Sequence, residues 1–160
     1  MEIIKSTRHQ KIIGEFGEYL ICNWLSRSGF EVARIDHTGI DIIAYNPSTG
    51  QRLGITVKSR TRTPGKEEDP VNIFFNKRKD REKLLNACKT FACQPWIAIY
   101  VETKNSADLY LTSLENYDKK YRKKNGKIDD WKMTPKAKQQ YQKDPNIKHI
   151  HIKFQPTNWW

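Results

Sequence analysis

The chain is 160 residues long, enough for one domain with its own core and short for two. Lys and Arg number 29 against 18 Asp and Glu, a formal net charge of +11 that suits a polyanionic partner, nucleic acid above all. An apolar content of 37% with five Trp, seven Tyr and six Phe argues against disorder throughout, and no apolar run approaches the length of a membrane span or a secretory leader.

From about Thr7 to Ser28, Ile12, Ile13, Phe16, Leu20, Ile21, Trp24 and Leu25 recur at helical spacing, and "SGF" ends the pattern. "FEVARI" alternates as a strand. "GIDIIAYN", "PSTG" and "QRLGITVKSR" then read as strand, turn and strand, an antiparallel hairpin. If the turn is Pro47 to Gly50, Asn46 faces Gln51 and Asp41 faces Thr56. One hairpin face then holds Ile40, Ile42, Ala44, Leu53, Ile55 and Val57, all apolar. The other gathers Asp41, Ile43, Tyr45, Arg52, Gly54, Thr56 and Lys58, so Asp41, Thr56 and Lys58 converge on one surface.

After the polar loop "TRTPGKEEDP" come a short apolar run, "VNIFF", and a helix through "KRKDREKLLNACKTFA" that opens on a dense basic turn. "QPWIAIYVE" has the apolar density of a central strand, with "ADLYLTSL" as its neighbour. Further helices are expected across "LENYDKKYRKK" and after "MTPK", and a closing strand across "NIKHIHIKF". No repeat or linker divides the chain, which reads as a single domain over 1–160 with 114–160 as a C-terminal elaboration. Cys22, Cys88 and Cys93 are odd in number and lack paired metal-ligand spacing, the pattern of reduced thiols in a cytoplasmic protein.

Phosphodiester hydrolysis needs charge neutralisation at the phosphate and an activated water, and carboxylates holding Mg²⁺ beside a lysine meet both needs. Asp41 and Lys58 supply one of each. On a helical wheel with Ile13 at zero and roughly 100° per residue, Glu18 falls beside Leu25 at the border of the buried stripe, while Glu15 lies on the polar side. Glu18 is therefore the carboxylate expected along the helix–sheet seam toward Asp41.

Four pieces in order, "GE" at Gly17–Glu18, "GF" at Gly29–Phe30, "GIDIIA" at Gly39–Ala44 and "TVKSR" at Thr56–Arg60, resemble the PD-(D/E)XK nuclease superfamily. Within it they are most similar to the archaeal Holliday junction resolvases and their small bacterial relatives. The resemblance spans roughly Gly14 to Arg60 and implies an α/β (α+β), restriction-endonuclease-like αβββαβ core, a mixed sheet flanked by helices. It implies a metal-dependent DNA endonuclease using Mg²⁺ or Mn²⁺, with Asp41, Glu18 and the Val57 backbone carbonyl as metal ligands and Lys58 as the catalytic lysine. A homodimer is implied as well.

Thr56 departs from the pattern, since a neutral hydroxyl stands where the superfamily carries Glu or Gln and binds a hard cation less well than a carboxylate does. Three readings follow. Glu18, Asp41 and backbone oxygens suffice; or a carboxylate from Glu67, Glu68 or Asp69 swings in; or the chain is a non-catalytic nucleic-acid-binding module on the nuclease fold. Arg60, Arg62, Lys66, Lys77, Arg78, Lys79 and Arg81 follow the site as candidate phosphate contacts. Lys119, Lys120, Arg122, Lys123, Lys124 and Lys127 are interleaved with Tyr117 and Tyr121, which suits either base stacking or an amphipathic cover on the core. His149 and His151 alternate on one strand face with no third metal ligand evident, which favours a structural role, and Trp159 and Trp160 are expected to pack on a neighbouring surface or a second subunit.

Overall fold

The computed structural model describes residues 2–123, 125–126 and 128–159, with Lys77 described through its backbone alone. Lys124, Lys127 and Trp160 lie outside the described residues. The elements run α1 (His9–Arg27), β1 (Glu31–His37), β2 (Ile40–Tyr45), β3 (Arg52–Thr61), β4 (Val71–Phe74), α2 (Lys77–Thr90), β5 (Gln94–Glu102), β6 (Ser106–Ser113), α3 (Leu114–Lys120), β7 (Asp129–Trp131), α4 (Pro135–Lys143) and β8 (Ile147–Lys153). Six strands form one mixed sheet in the order β1-β2-β3-β5-β6-β8, in which β3 and β5 are parallel and the other neighbours antiparallel; β4 and β7 make a small separate ribbon. The crossover between β3 and β5 carries β4 and α2.

The hairpin has the register expected from its turn. Ile42 pairs with Ile55, Ala44 with Leu53 and Tyr45 with Arg52. Asn46 closes the turn by accepting from Gly50 N–H at 2.8 Å and donating to the Gln51 carbonyl at 2.8 Å, with Gly50 at φ +73°. Both sheet faces are covered, so the face holding Thr56 is a second core surface and not an open one. Helix α1 lies against Ile42, Ala44, Leu53, Ile55, Ala98 and Tyr100. On the opposite face α2 and the β4–β7 ribbon pack on Ile97, Ile99 and Val101.

Helix α1 buries Ile13, Gly17, Ile21 and Leu25, a row at i,i+4 spacing, while Ile12 and Phe16 of the expected apolar stripe are 57% and 48% exposed. Gly17 is the reason. A Cβ there would overlap Ser59 Oγ and stand 3.4 Å from the Tyr100 Cβ, so the helix settles with its glycine, and not its phenylalanine, on the sheet. Helix α2 starts where Asn76 accepts from Lys79 N–H at 3.2 Å and Asp80 accepts from Asn76 N–H at 2.8 Å, reciprocal capping bonds that satisfy donors left open by the first turn.

The aromatic residues Tyr117, Tyr121, Trp131 and Tyr141 of the C-terminal region belong to the core. Trp131, fully buried, stacks on Tyr141 at 4.2 Å between centroids and also meets Tyr117 and Tyr121. Of the two roles open to Tyr117 and Tyr121, the amphipathic cover is the one their positions serve. The two strand histidines converge on one buried carboxylate: His149 Nε2 and His151 Nδ1 lie 2.9 and 2.8 Å from Asp108 Oδ1, and Lys138 Nζ donates to Oδ2 at 3.0 Å.

Burial alone would raise the Asp108 pKa, but the hydrogen bonds from His149, His151 and Lys138 hold it well below the usual carboxylate range. A carboxylate depressed in the native state contributes stability that is complete above its unfolded pKa of ~4 and is lost as pH falls through that value toward the native one. Wild-type urea midpoints are thus expected to drop between pH 6 and pH 3, and Asp108→Asn to start lower at pH 6 with a shallower pH dependence. Parallel pH slopes in the two proteins would remove Asp108 as the cause.

Candidate functional site

The β2–β3 ladder opens at the Asp41 end of the hairpin for a local reason. Its register reaches Ile42↔Ile55, and two residues further along β3 the Val57 N–H donates to Asp41 Oδ2 at 2.7 Å, a side chain taking the place of a backbone carbonyl. The N–H and C=O of one strand residue point the same way, so the Val57 carbonyl faces the same gap. Thr56 Oγ1 donates to the same Asp41 oxygen at 3.4 Å, a long bond, and Thr56 is buried. Asp41 and Lys58 are both half-buried, with the row Thr56, Lys58 and Arg60 paired to Ile97, Ile99 and Val101 on the face that α2 covers.

Glu18 is engaged elsewhere: its Oε2 accepts from Arg34 Nε on β1 at 2.8 Å, and Arg34 in turn lies 4.1 Å over the Tyr19 ring. Arg34 pairs with Ile42, one residue from Asp41, so Glu18 sits on the helix–sheet seam but is held by a cation. The loop containing Glu67, Glu68 and Asp69 folds on itself through two turns, and the Arg62 guanidinium ties it down by donating to the carbonyls of Asp69 and Pro70 at 3.2 and 2.7 Å. Among the described residues no cluster of three or more His, Cys, Asp or Glu surrounds a point suited to a metal ion.

A further carboxylate, outside the expected site residues, stands near Lys58. Asp80, in the first turn of α2, is held below the usual carboxylate range mainly by the Asn76 N–H, with Lys83 at 3.3 Å and the more distant Lys58 ammonium adding to the effect against desolvation. The signal was an Asn four residues before an Asp at the start of an amphipathic run, readable as a cap but not as a neighbour of β3.

The candidate phosphate contacts divide into two groups. Arg81 chelates Asp118 with two bonds at 2.6 and 2.9 Å and also reaches buried Asp129, so it is a structural cation. Arg62 serves the loop. Arg60 donates to the neighbouring Ser59 carbonyl at 2.8 Å, and Arg78 pairs with Glu82 at 3.2 Å while still exposed. Lys66 and Lys79 are exposed, and Lys77 is placed by its backbone at the first position of α2. The three cysteines are free thiols; burial pushes Cys88 up to about 12, which makes it an inert core residue.

A six-stranded mixed sheet flanked by helices has the architecture of the restriction-endonuclease-like α/β fold. Among solved structures, the chain is similar to Hjc of Archaeoglobus fulgidus, a Holliday junction resolvase from an archaeal hyperthermophile, with 17% identity, a TM-score of 0.52, and coverage of 74% of this chain and 88% of that one. At that identity the likeness carries the fold. No family model matches the chain, and no curated protein matches it in sequence. No helix of the described residues is long and apolar enough to cross a membrane.

Proposed function

We propose that this protein is a metal-dependent DNA endonuclease of the PD-(D/E)XK type, acting on branched or duplex DNA as a cytoplasmic homodimer. The observation that carries the reading is the opened ladder, in which the Val57 N–H donates to the Asp41 carboxylate on the strand that continues into Lys58. The donor set fits a hard divalent cation sparsely: one carboxylate, one carbonyl and the Thr56 hydroxyl, with Glu18 joining if it exchanges Arg34 for the ion. Mg²⁺ keeps several waters and is commonly held by one or two carboxylates together with substrate phosphate, so DNA itself would complete such a site. Bound there, Mg²⁺ or Mn²⁺ would polarise the scissile phosphodiester and acidify a water.

Each remaining role belongs to a residue of the chain. Asp41, fixed by the Val57 N–H and steadied by Thr56, presents its carboxylate toward the gap. Lys58 orients the attacking water or stabilises the charge that develops on the phosphate. Arg60, Lys66, Arg78 and Lys79 neutralise neighbouring phosphates, which makes binding steeply dependent on salt. Two active sites related by a twofold axis would cut two strands.

The test offers branched, duplex and single-stranded DNA with Mg²⁺ or Mn²⁺ to the wild type, Asp41→Ala and Lys58→Ala. Cleavage is expected to fall by ~10²–10³ in each variant, with salt-sensitive DNA binding retained; wild-type rates in both would sink the assignment. The second reading, a binder that does not cut, is favoured by one observation, that Asp41 Oδ2 already accepts from Val57 and Thr56 with no second carboxylate on β3. Calorimetry separates the two, because Mn²⁺ binding that disappears in Asp41→Ala tells against the binder.

A further inference from the structure

A cleft of about 1110 Å³ opens at the C-terminal ends of β3 and β5, between residues 2–5 on one side and residues 153–159 on the other. Its floor is a continuous polar chain. His9 Nε2 lies 2.7 Å from Thr61 Oγ1, Thr61 donates to Glu102 Oε1 at 2.7 Å, and the Tyr100 hydroxyl donates to Glu102 Oε2 at 3.1 Å. Because the Thr61 proton is committed to Glu102, His9 is the donor in its contact with Thr61. Lys5 fixes one wall by donating to the Thr61 carbonyl at 2.6 Å.

Two further features give the cleft its chemistry. Exposed Lys104 and Lys153 stand on its rim with Lys5, so cations outnumber Glu2 and Glu102 around the opening. Phe154 and Trp159 line the same wall, and Trp159 is 65% exposed although it borders a cavity able to take a planar group. Cations at the mouth, aromatic faces on one wall and a carboxylate with spare lone pairs on the floor match a nucleotide: phosphate on lysine, base on the ring, exocyclic amine on Glu102.

The cleft extends along the end of β3, the strand that carries Lys58. A smaller groove shares Lys5, His9 and Thr61 with it and runs past Ser59 and Arg60. Lys58 lies three residues back along β3 from Thr61, a distance of ~10 Å, or about three base steps of a DNA strand. Lys58 and Thr61 face opposite sides of β3, so a strand with its phosphate at Lys58 reaches the cleft by passing around Arg60, which lines the joining groove, a path of a few nucleotides.

We propose that this cleft binds an unpaired nucleotide of the DNA strand engaged at Lys58, stacking its base on Trp159 and Phe154 and holding its backbone with Lys104 and Lys153. The proposal rests on the nuclease reading for its substrate, and it selects DNA with a single-stranded flap or branch over blunt duplex.

Fluorescence anisotropy in Ca²⁺, at one fixed salt concentration, compares blunt duplex with the same duplex carrying a short single-stranded tail. The tail is expected to tighten binding on the order of tenfold, as one well-stacked base does. Trp159→Ala and the surface variant Lys104→Glu should each erase most of that advantage and leave blunt-duplex affinity within about twofold. Neither residue is buried, so both variants keep the fold, which circular dichroism checks. Equal affinity for the two DNAs, or a tail advantage that survives both substitutions, overturns the cleft while leaving the nuclease reading intact. Absence of binding to either DNA at low salt overturns both.

Discussion

Gly39→Ala is expected to lower the free energy of unfolding by about 3 kcal/mol and to abolish cleavage with it. Gly39 ends the β1–β2 turn at φ +107°, a backbone region that residues with a side chain rarely adopt. A Cβ there would overlap the Lys83 carbonyl and stand 2.9 Å from Leu84 N, both backbone atoms of α2. Neither can swing aside as a side chain would, so the turn and α2 must part, and the helix that covers Thr56 and Lys58 moves with them. Gly50→Ala is the control: φ is +73° but nothing lies within 4 Å, so only the conformational cost of ~1 kcal/mol applies. Urea unfolding of both variants measures the difference, and equal losses would mean that α2 does not press on this turn.

That contact explains a motif the sequence presented without a reason. The glycine of "GIDIIA" is needed for the approach of α2, two residues before the aspartate that opens the ladder. The hairpin was legible because period-two alternation and a short turn fix register without tertiary information. Burial on both faces was not. A glycine at position 54 reads as a gap on a polar face, whereas it admits Cys88 Sγ of α2, which a Cβ at Gly54 would meet at 2.6 Å. The same limit applies to α1, where apolar count favoured Phe16 and close approach favoured Gly17.

Charge was the least legible property. Arg81 and Arg78 stand in one basic run, yet Arg81 is half-buried and held by Asp118 and Asp129 while Arg78 is left in solvent, a division set by partners some 37 and 48 residues away. Glu18 was placed at the seam by helical periodicity, but its occupation by Arg34 depends on a strand partner that periodicity does not name. Wherever a role depended on residues close in sequence it could be read, and wherever it depended on a cross-sheet partner it could not.

The position at which the two functional readings diverge is Thr56, and Thr56→Glu is expected to raise Mn²⁺ affinity by about tenfold or more and cleavage with it. A carboxylate on this strand position would share the face of Asp41, adding a second anionic ligand beside the Val57 carbonyl. Without metal the change is costly, because it exchanges a buried hydroxyl for a charge next to Asp41, where two carboxylates repel. The variant should therefore unfold at lower urea than wild type in chelator and recover in Mn²⁺, since a ligand bound only by the native state adds stability as its concentration exceeds Kd. Calorimetry and urea titration with and without Mn²⁺ measure both effects. If the variant loses stability and gains neither metal affinity nor cleavage, the gap beside Asp41 is not a cation site, and the binding module becomes the better description of the chain. If it gains both, the wild-type threonine marks a nuclease that depends on its DNA to complete the metal's coordination, and wild-type Mn²⁺ affinity should then rise when uncleavable DNA is present.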